Sequence, residues 1–158
     1  ILADKTGLVA NWGLNANAND VTGDHNGAGV GGPGYLTFPV APFCVPSATT
    51  LCLDDRFAVS AEWRNYSDVT GVASVASCGS DDSGLLWFFN PQNWEVLIKS
   101  VNGCGLNDRY WIYSAATTDV FYRITVTDVV AGASKTYFNY LGEPAKANND
   151  SDAFATCP

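Results

Sequence analysis

The sequence predicts an all-β protein: an antiparallel β-sandwich of jelly-roll or Ig-like build, with roughly nine or ten strands and little helix. Aromatic residues make up 13% of the 158 residues and charged residues only 15%, beside 15 glycines and 7 prolines. Runs of branched and aromatic residues alternate with short turn segments, as is typical of strands packed on a half-buried surface. No window carries apolar residues at helical spacing over several turns, so a helical fold is not expected.

The densest strand signals lie in the middle of the chain. Residues 84–89 and 94–101 flank the Asn-Pro-Gln-Asn segment at 90–93, where proline sets a turn and supplies no backbone donor, so we expect a hairpin. Two further runs follow, at about 109–115 and 120–129. Because the connections between the four runs are short, we expect four successive strands of one antiparallel sheet.

A second hairpin is predicted upstream. Residues 56–64 alternate strictly, which indicates a strand with one buried and one solvated face. Its apolar face carries Phe57, Val59, Ala61 and Trp63. The turn at 65–68 leads into a partner strand at 69–76.

The remaining segments flank this core. Residues 1–14 read as an opening strand that could be lent to a neighbouring molecule, and the stretch 15–34 is a loop rich in Asn, Asp and Gly. Prolines make 35–45 an edge strand or a connector. Residues 135–141 predict a further strand, followed by a polar tail from Gly142. We expect a single domain over 1–158 whose main sandwich spans 44–158.

Net charge and residue usage limit the partners and the location. A net charge of −8 argues against binding to nucleic acid or to anionic membranes, which require clustered Lys and Arg. The chain has no methionine and no long apolar run, so we expect no membrane insertion and a processed or excised product. A secreted protein whose signal peptide has been removed, at the cell surface or outside the cell, fits these features.

Five cysteines indicate an oxidising compartment, since none lies in a C-x-x-C pattern. We expect up to two internal disulfides. Cys78 and Cys104 flank the first hairpin, and Cys44 and Cys52 would close a short loop, although other pairings stay open. Cys157, near the end of the chain, is the candidate for a free or intermolecular thiol.

No motif predicts an enzyme, and we expect no catalytic residue, cofactor site or metal site. Asp-Ser-Gly at 82–84 is similar to a serine-protease nucleophile segment, but the single histidine, His25, lies in a turn. Residues 27–32 match G-x-G-x-x-G, but no strand precedes them and proline follows. Glu62 and Glu95 are interpreted as solvated strand residues rather than as a glycosidase pair.

Calcium is the one metal that the sequence leaves open. Asn and Asp residues cluster at 15–26, and paired aspartates occur at 54–55 and at 81–82. Such side chains supply the oxygen ligands that calcium prefers. None of these groups has the spacing of a known calcium loop, so solvated turn residues are the simpler interpretation.

The aromatic residues exceed what one core face can hold. Consecutive rings occur at 87–89, 110–111 and 137–138, and neighbouring strand residues point to opposite faces. Some rings must therefore be covered by a second sheet, a sugar or another subunit. The candidate contact residues are Leu8, Trp12, Trp87, Trp94 and Trp111.

Two stretches resemble known families. The opening resembles a laminin-G or concanavalin-like jelly roll of secreted bacterial proteins. The residues that carry this likeness are Gly7-Leu8-Val9-Ala10-Asn11-Trp12, Leu14-Asn15-Ala16-Asn17-Ala18-Asn19-Asp20 and Gly23-Asp24-His25-Asn26-Gly27-Ala28, within residues 7–35.

From Cys44 onward the chain resembles a module of unassigned activity that recurs in large secreted bacterial proteins. The matching residues are Cys44-Val45-Pro46, Thr50-Leu51-Cys52-Leu53, Arg56-Phe57-Ala58-Val59, Asp82-Ser83-Gly84-Leu85-Leu86-Trp87-Phe88-Phe89-Asn90-Pro91 and Thr117-Thr118-Asp119-Val120. This resemblance implies an extracellular location and an all-β build.

The expected function is therefore a non-catalytic, extracellular structural or adhesive role. We expect a subunit that assembles with copies of itself, as in a filament joined by strand donation. The alternative is a carbohydrate-binding module of a secreted multidomain protein, with a glycan as partner.

Overall fold

The structure, a computed structural model, describes residues 42–158. The chain divides into two compact units, Ile1–Val40 and Ala41–Pro158, and the described residues belong to the second. They form ten strands and one short helix. These are β1 (Leu51–Leu53), β2 (Phe57–Arg64), β3 (Thr70–Val72), β4 (Ser74–Gly79), β5 (Ser83–Trp87), β6 (Val96–Asn102), α1 (Cys104–Asn107), β7 (Tyr110–Ala116), β8 (Phe121–Asp128), β9 (Ala133–Asn139) and β10 (Asn148–Phe154).

Several predictions fall on residues outside the described range. They concern the opening strand at 1–14, the contact residues Leu8 and Trp12, His25 and the Asn and Asp cluster at 15–26. They stay predictions, as does the single domain over the whole chain.

The strands form two antiparallel five-stranded sheets. In the first, which we call the β2/β8 sheet, the order is β1-β2-β8-β9, with β3 also paired to β2. In the second, the β6/β7 sheet, the order is β10-β7-β6-β5-β4. The predicted all-β sandwich is confirmed.

The alternating residues of both sheets bury their inward side chains in one shared core. Strand β2 buries Phe57, Val59 and Ala61, as the sequence predicts. The fully buried large residues of the core are Phe57, Leu53, Leu86, Ile98, Ile112, Ile124, Val59, Val96 and Val126. Burial of this apolar surface is what holds the two sheets together.

The hairpin of β5 and β6 is confirmed, but the expectation of four successive strands in one sheet is wrong. Strand β7 continues the sheet beside β6, whereas β8 crosses to the other sheet and pairs with β2 from Phe57↔Asp128 to Arg64↔Phe121. The short connection contains Val120, which is 7% exposed and packs in the core. Local alternation is the same in either sheet, so it does not show where a strand changes sheets.

The predicted strand at 69–76 is also divided between the sheets. Its first part, β3, pairs with β2 as the expected hairpin, and its second part, β4, pairs with β5 in the opposite sheet. Ala73 lies between them with no exposed surface. A small buried residue at this point lets the chain pass from one layer to the other.

Strand β10 lies in the segment that the sequence analysis assigned to a polar tail. It pairs with β7, with an irregular register between Asp150 and Phe154. The ion pair from Arg109 Nε to Asp152 Oδ1, at 2.6 Å, ties it to the start of β7. Its Asn-Asn-Asp-Ser-Asp sequence has low strand propensity, so these tertiary contacts, rather than local preference, account for the strand.

Two disulfides lie within residues 42–158, and one of them is a predicted pair. Cys44–Cys52 is confirmed, with eight residues of separation. The second bond joins Cys104 to Cys157, so the Cys78–Cys104 pairing and the intermolecular thiol at Cys157 are both wrong. Cys78 is free and exposed.

Sheet order explains the correction at Cys104. Strand β4, which carries Cys78, is separated from β6 by β5, and two strand spacings are about 10 Å, more than a disulfide can bridge. Strand β7 likewise lies between β6 and β10, but Cys104 and Cys157 lie beyond the ends of these two strands, in α1 and in the segment after β10, so the strand spacing does not hold them apart. Their Cα atoms lie 5.7 Å apart.

The candidate binding face

The outer surface of the β6/β7 sheet is unusually apolar. Inward residues of β5, β6 and β7 are buried, so the alternate residues point away from the core. The residues of what we call the apolar face are Leu85, Trp87, Leu97, Val101, Trp111, Tyr113 and Ala115. A solvated outer face normally carries polar residues at such positions, so this one is a candidate contact surface.

Leu97 lies at the centre of the apolar face. It belongs to β6, the middle strand, and is 47% exposed. Its register partners are Leu85 on one side and Ala115 on the other. These three residues form an apolar row across three strands.

The only charged residue among the outward positions of β5, β6 and β7 is Lys99. It pairs in register with Ser83 and Tyr113, and its Nζ lies 5.7 Å from the Tyr113 ring centroid. None of these outward positions carries a carboxylate. The face is therefore apolar with a single positive charge, in a chain whose net charge is −8.

Two rings on the apolar face stack on each other. The centroids of Trp111 and Tyr113 lie 6.0 Å apart with 29° between the ring planes. The Trp111 indole N–H donates to Asn107 Oδ1 at 2.8 Å, and a Cβ at Gly103 would lie 2.3 Å from the indole. Neighbouring groups thus fix the orientation of the indole.

The predicted contact residues within the described range are divided between two places. Trp87 and Trp111 lie on the apolar face. Trp94 lies outside it, beside the β5–β6 turn, with 48% exposure and a hydrogen bond from its indole N–H to the Pro91 carbonyl at 3.2 Å. Sequence reasoning identified two tryptophans of the face but missed Leu97, which only strand register places at its centre.

The outer surface of the β2/β8 sheet has a different composition. Its register rows include Ser60–Thr125–Thr136, and Glu62 pairs with Arg123 at 2.6 Å. Val72 and Phe138 also point outward here, with 54% and 56% exposure, each in register with one of these charged residues. Hydroxyls and an ion pair thus separate the apolar residues of this face.

Glu95 was expected to be solvated, and the structure shows that this is wrong. The residue is 4% exposed. Its Oε2 accepts the Phe88 backbone N–H and its Oε1 accepts the Asn93 amide, both at 2.7 Å. Burial raises the pKa of Glu95, and these hydrogen bonds partly offset that effect. Both carboxylate oxygens stabilise the hairpin turn, which gives Glu95 a structural role.

The Asp-Ser-Gly segment is a hydrogen-bonded turn. The Ser83 hydroxyl donates to Asp82 Oδ1 at 2.9 Å, and the Ser80 hydroxyl donates to the same oxygen at 2.6 Å. These bonds, with that from Ser80 the stronger influence, lower the pKa of Asp82. Residues 42–158 contain no histidine that could act as a base for Ser83.

The paired aspartates surround a cleft of about 490 Å³ that Asp54, Asp55 and Asp81 line. The Asp54 backbone N–H donates to the Asp81 carbonyl at 2.6 Å, and Asp54 Oδ2 accepts the Ser100 hydroxyl at 2.5 Å. No three metal-ligating side chains come together among residues 42–158. The cleft therefore gives the calcium interpretation no ligand set.

A buried charge network joins the C-terminal segment to the sandwich. Arg56 binds Asp128 through Nε at 3.0 Å and Nη2 at 2.7 Å, and its Nη1 donates to the Tyr110 hydroxyl at 2.8 Å. Thr156 completes the network by accepting from Arg56 and donating to Asp128 Oδ2. Each partner is satisfied, which indicates a structural role.

In the described residues, no helix has the length and apolar character needed to cross a membrane. No family model matches this chain, and no curated protein or solved structure is significantly similar to it.

Proposed function

We propose that this chain is a non-catalytic, extracellular structural or adhesive module whose copies associate through the apolar face. The observation that carries this proposal is the outer surface of the β6/β7 sheet, where aromatic and aliphatic residues occupy nearly every outward position of three central strands. Contiguous apolar patches of this kind mark contact surfaces on soluble domains. The occupant that we propose is a second copy of the same face.

The size of the sheet supports this occupant. Strands spaced by about 4.8 Å and rising about 3.4 Å per residue give the whole outer surface of the β6/β7 sheet, with the apolar face at its centre and β4 and β10 at its edges, dimensions of roughly 24 by 20 Å. Two such faces in contact bury about 1,000 Å², which is the lower limit for a specific protein interface. Sheets pack face to face readily because their side chains interdigitate.

The charge distribution also supports self-association. Two copies of a chain with net charge −8 repel each other at most surfaces. The apolar face avoids this repulsion because its outward positions carry Lys99 and no carboxylate. A symmetric contact between identical faces is the commonest form of homo-oligomer.

Two disulfides support the extracellular part of the proposal. Cys44–Cys52 and Cys104–Cys157 are of the kind that persists in oxidising compartments. Cys157, which was expected to link neighbouring molecules, is bonded to Cys104 in the same chain. The proposed assembly therefore depends on the apolar face rather than on Cys157. Donation of the strand at 1–14 stays a separate prediction.

The proposal is tested by placing one negative charge on each outer face. Leu97→Glu introduces a carboxylate at the centre of the apolar face, and Ser60→Glu adds the same charge at an exposed position of β2, on the other sheet. We expect self-association measured by light scattering and sedimentation to weaken at least about tenfold for Leu97→Glu, because an interface disfavours an unpaired buried charge.

Ser60→Glu should associate like the wild type, and both variants should keep the wild-type melting temperature at concentrations where the wild type is monomeric. A wild-type protein that stays monomeric at every concentration measured would refute self-association. Equal weakening by both substitutions would refute the assignment to the apolar face.

A further inference from the structure

A cleft of about 300 Å³ opens at one lateral edge of the sandwich, between β9 and residues 146–148. Strand β9 ends the β2/β8 sheet and β10 ends the β6/β7 sheet. The residues that line the cleft include Ser114, Tyr122, Tyr137, Phe138, Lys146 and Asn148. It is distinct from the apolar face, so the inference does not depend on self-association.

A polar contact joins the two edge strands beside the cleft. The Tyr137 hydroxyl donates to Asp150 Oδ2 at 2.8 Å, and Lys135 Nζ lies 3.5 Å from the same oxygen. Burial first, and then this bond, raise the pKa of Tyr137. The Asp150 carboxylate is thereby occupied by Tyr137 and Lys135.

Two buried hydroxyl side chains line the cleft. Tyr122 is 6% exposed and Ser114 is 9% exposed. Neither hydroxyl has a hydrogen-bond partner among residues 42–158, and the only fully buried side-chain polar atom without one in this range is Trp63 Nε1. Both hydroxyls therefore reach the water of the cleft, where a polar ligand can take the place of that water.

The rim supplies a cation and aromatic surface. Lys146 is exposed, and the ion pairs found among residues 42–158 do not include it. Phe138 is 56% exposed, and Asn148 lines the cleft with an amide whose N–H donates to the Ile112 carbonyl at 3.4 Å and whose oxygen remains an acceptor. The combination of separate hydroxyls, an amide, a ring and one ammonium fits a polyhydroxylated ligand with one negative charge.

We propose that this cleft binds a single sugar residue carrying a carboxylate, of the uronic acid class. The sugar hydroxyls bond to Tyr122, Ser114 and Asn148. The ring of the sugar packs against Phe138, and its carboxylate pairs with Lys146. The volume is at the lower end for ligand sites, which suits one sugar ring rather than an oligosaccharide.

The test uses the full chain and D-glucuronate as the probe, with D-glucose and acetate as comparison ligands, measured by ligand-observed NMR titration. We expect millimolar binding of glucuronate, at least fivefold weaker binding of glucose, and weaker binding still of acetate. Tyr122→Phe should weaken glucuronate binding about tenfold without lowering the melting temperature, because the lost hydroxyl has no partner among residues 42–158.

Lys146→Gln should reduce glucuronate affinity to that of glucose. The matched control is Tyr66→Phe, which removes a hydroxyl from an exposed turn, where it bonds to Asp119, and should leave binding unchanged. Absence of glucuronate binding to the folded protein, or unchanged binding by Tyr122→Phe, would overturn the site. Acetate binding as tightly as glucuronate would overturn the sugar assignment.

Discussion

The two outer faces of the sandwich are built on the same alternation but differ in what they expose. On the β2/β8 sheet, outward positions carry serine, threonine and the Glu62–Arg123 pair, with Val72 and Phe138 beside these charged residues in register. On the β6/β7 sheet, they carry the leucines, valine and aromatic rings of the apolar face. Polar residues thus separate the apolar residues on one sheet, whereas on the other the apolar residues are contiguous.

This difference shows that period-two alternation reports the buried face and says little about the other. The inner residues of both sheets follow the same rule because they share one core. The outer residues are free of that constraint and therefore carry the information about partners.

In contrast to the outer faces, the inner faces of the two sheets are equivalent, because both bury their residues in one core. Ile112 in β7 and Ile124 in β8 are both fully buried, one from each sheet. We expect Ile112→Ala and Ile124→Ala each to lower the free energy of unfolding by about 4 kcal/mol, because each leaves a cavity in the shared core. Urea denaturation at neutral pH measures both.

A loss confined to one variant would mean that the sheets do not share a single core. Ala131→Gly, in the exposed turn after β8, is the control, and should change stability far less.

The charge network of Arg56, Asp128 and Thr156 should make a smaller contribution to the free energy of unfolding, and this contribution should depend on pH. Burial acts to raise the pKa of Asp128, but hydrogen bonds from Arg56 and Thr156 outweigh it, so the pKa lies below its ordinary value. A carboxyl whose pKa is depressed by folding contributes stability above the unfolded pKa, near 3.9, and loses it as pH falls through the folded value.

We expect Asp128→Asn to cost about 3 kcal/mol at pH 7, since Arg56 loses its charged partner. The difference in free energy of unfolding between Asp128→Asn and wild type should shrink as the pH is lowered below about 4. Urea denaturation at several pH values measures this difference. A difference that stays constant down to pH 2.5 would contradict the role of the Asp128 charge.

The sequence predicted the class of fold well because strand alternation is a local property. The inward residues of β2 and the β5–β6 hairpin follow from it, and the consecutive rings at 87–89 and 110–111 indicated only that some rings face away from the core. Strand β10 was missed because its polar sequence is held in place by Arg109 and the Cys104–Cys157 bond. The sheet changes at Ala73 and after Ala116 were missed because they depend on distant pairing partners.

The candidate sites were predicted less completely for the same reason. The surplus of aromatic residues indicated that some apolar surface would face outward. The sequence did not indicate that Leu97 lies at the centre of the apolar face, because this depends on β6 being the middle strand of its sheet. Glu95 is buried because the turn folds back over it, which its place in an alternating run did not indicate. The edge cleft brings Tyr122 together with Ser114 and Lys146, and no local pattern connects residues so far apart in the chain.

The smallest predicted effect concerns the exposed ion pair on the solvated face. Glu62 and Arg123 lie 2.6 Å apart, but their side chains are 59% and 53% exposed. Exposed pairs contribute about 0 to 1 kcal/mol, so Glu62→Gln should lower stability by roughly 0.5 kcal/mol at low salt and by less in 0.5 M NaCl. Self-association should stay unchanged, because this face is not the proposed contact. If Glu62→Gln altered the oligomeric state as strongly as Leu97→Glu, the two outer faces would not differ in function, and the composition of the apolar face would need another explanation.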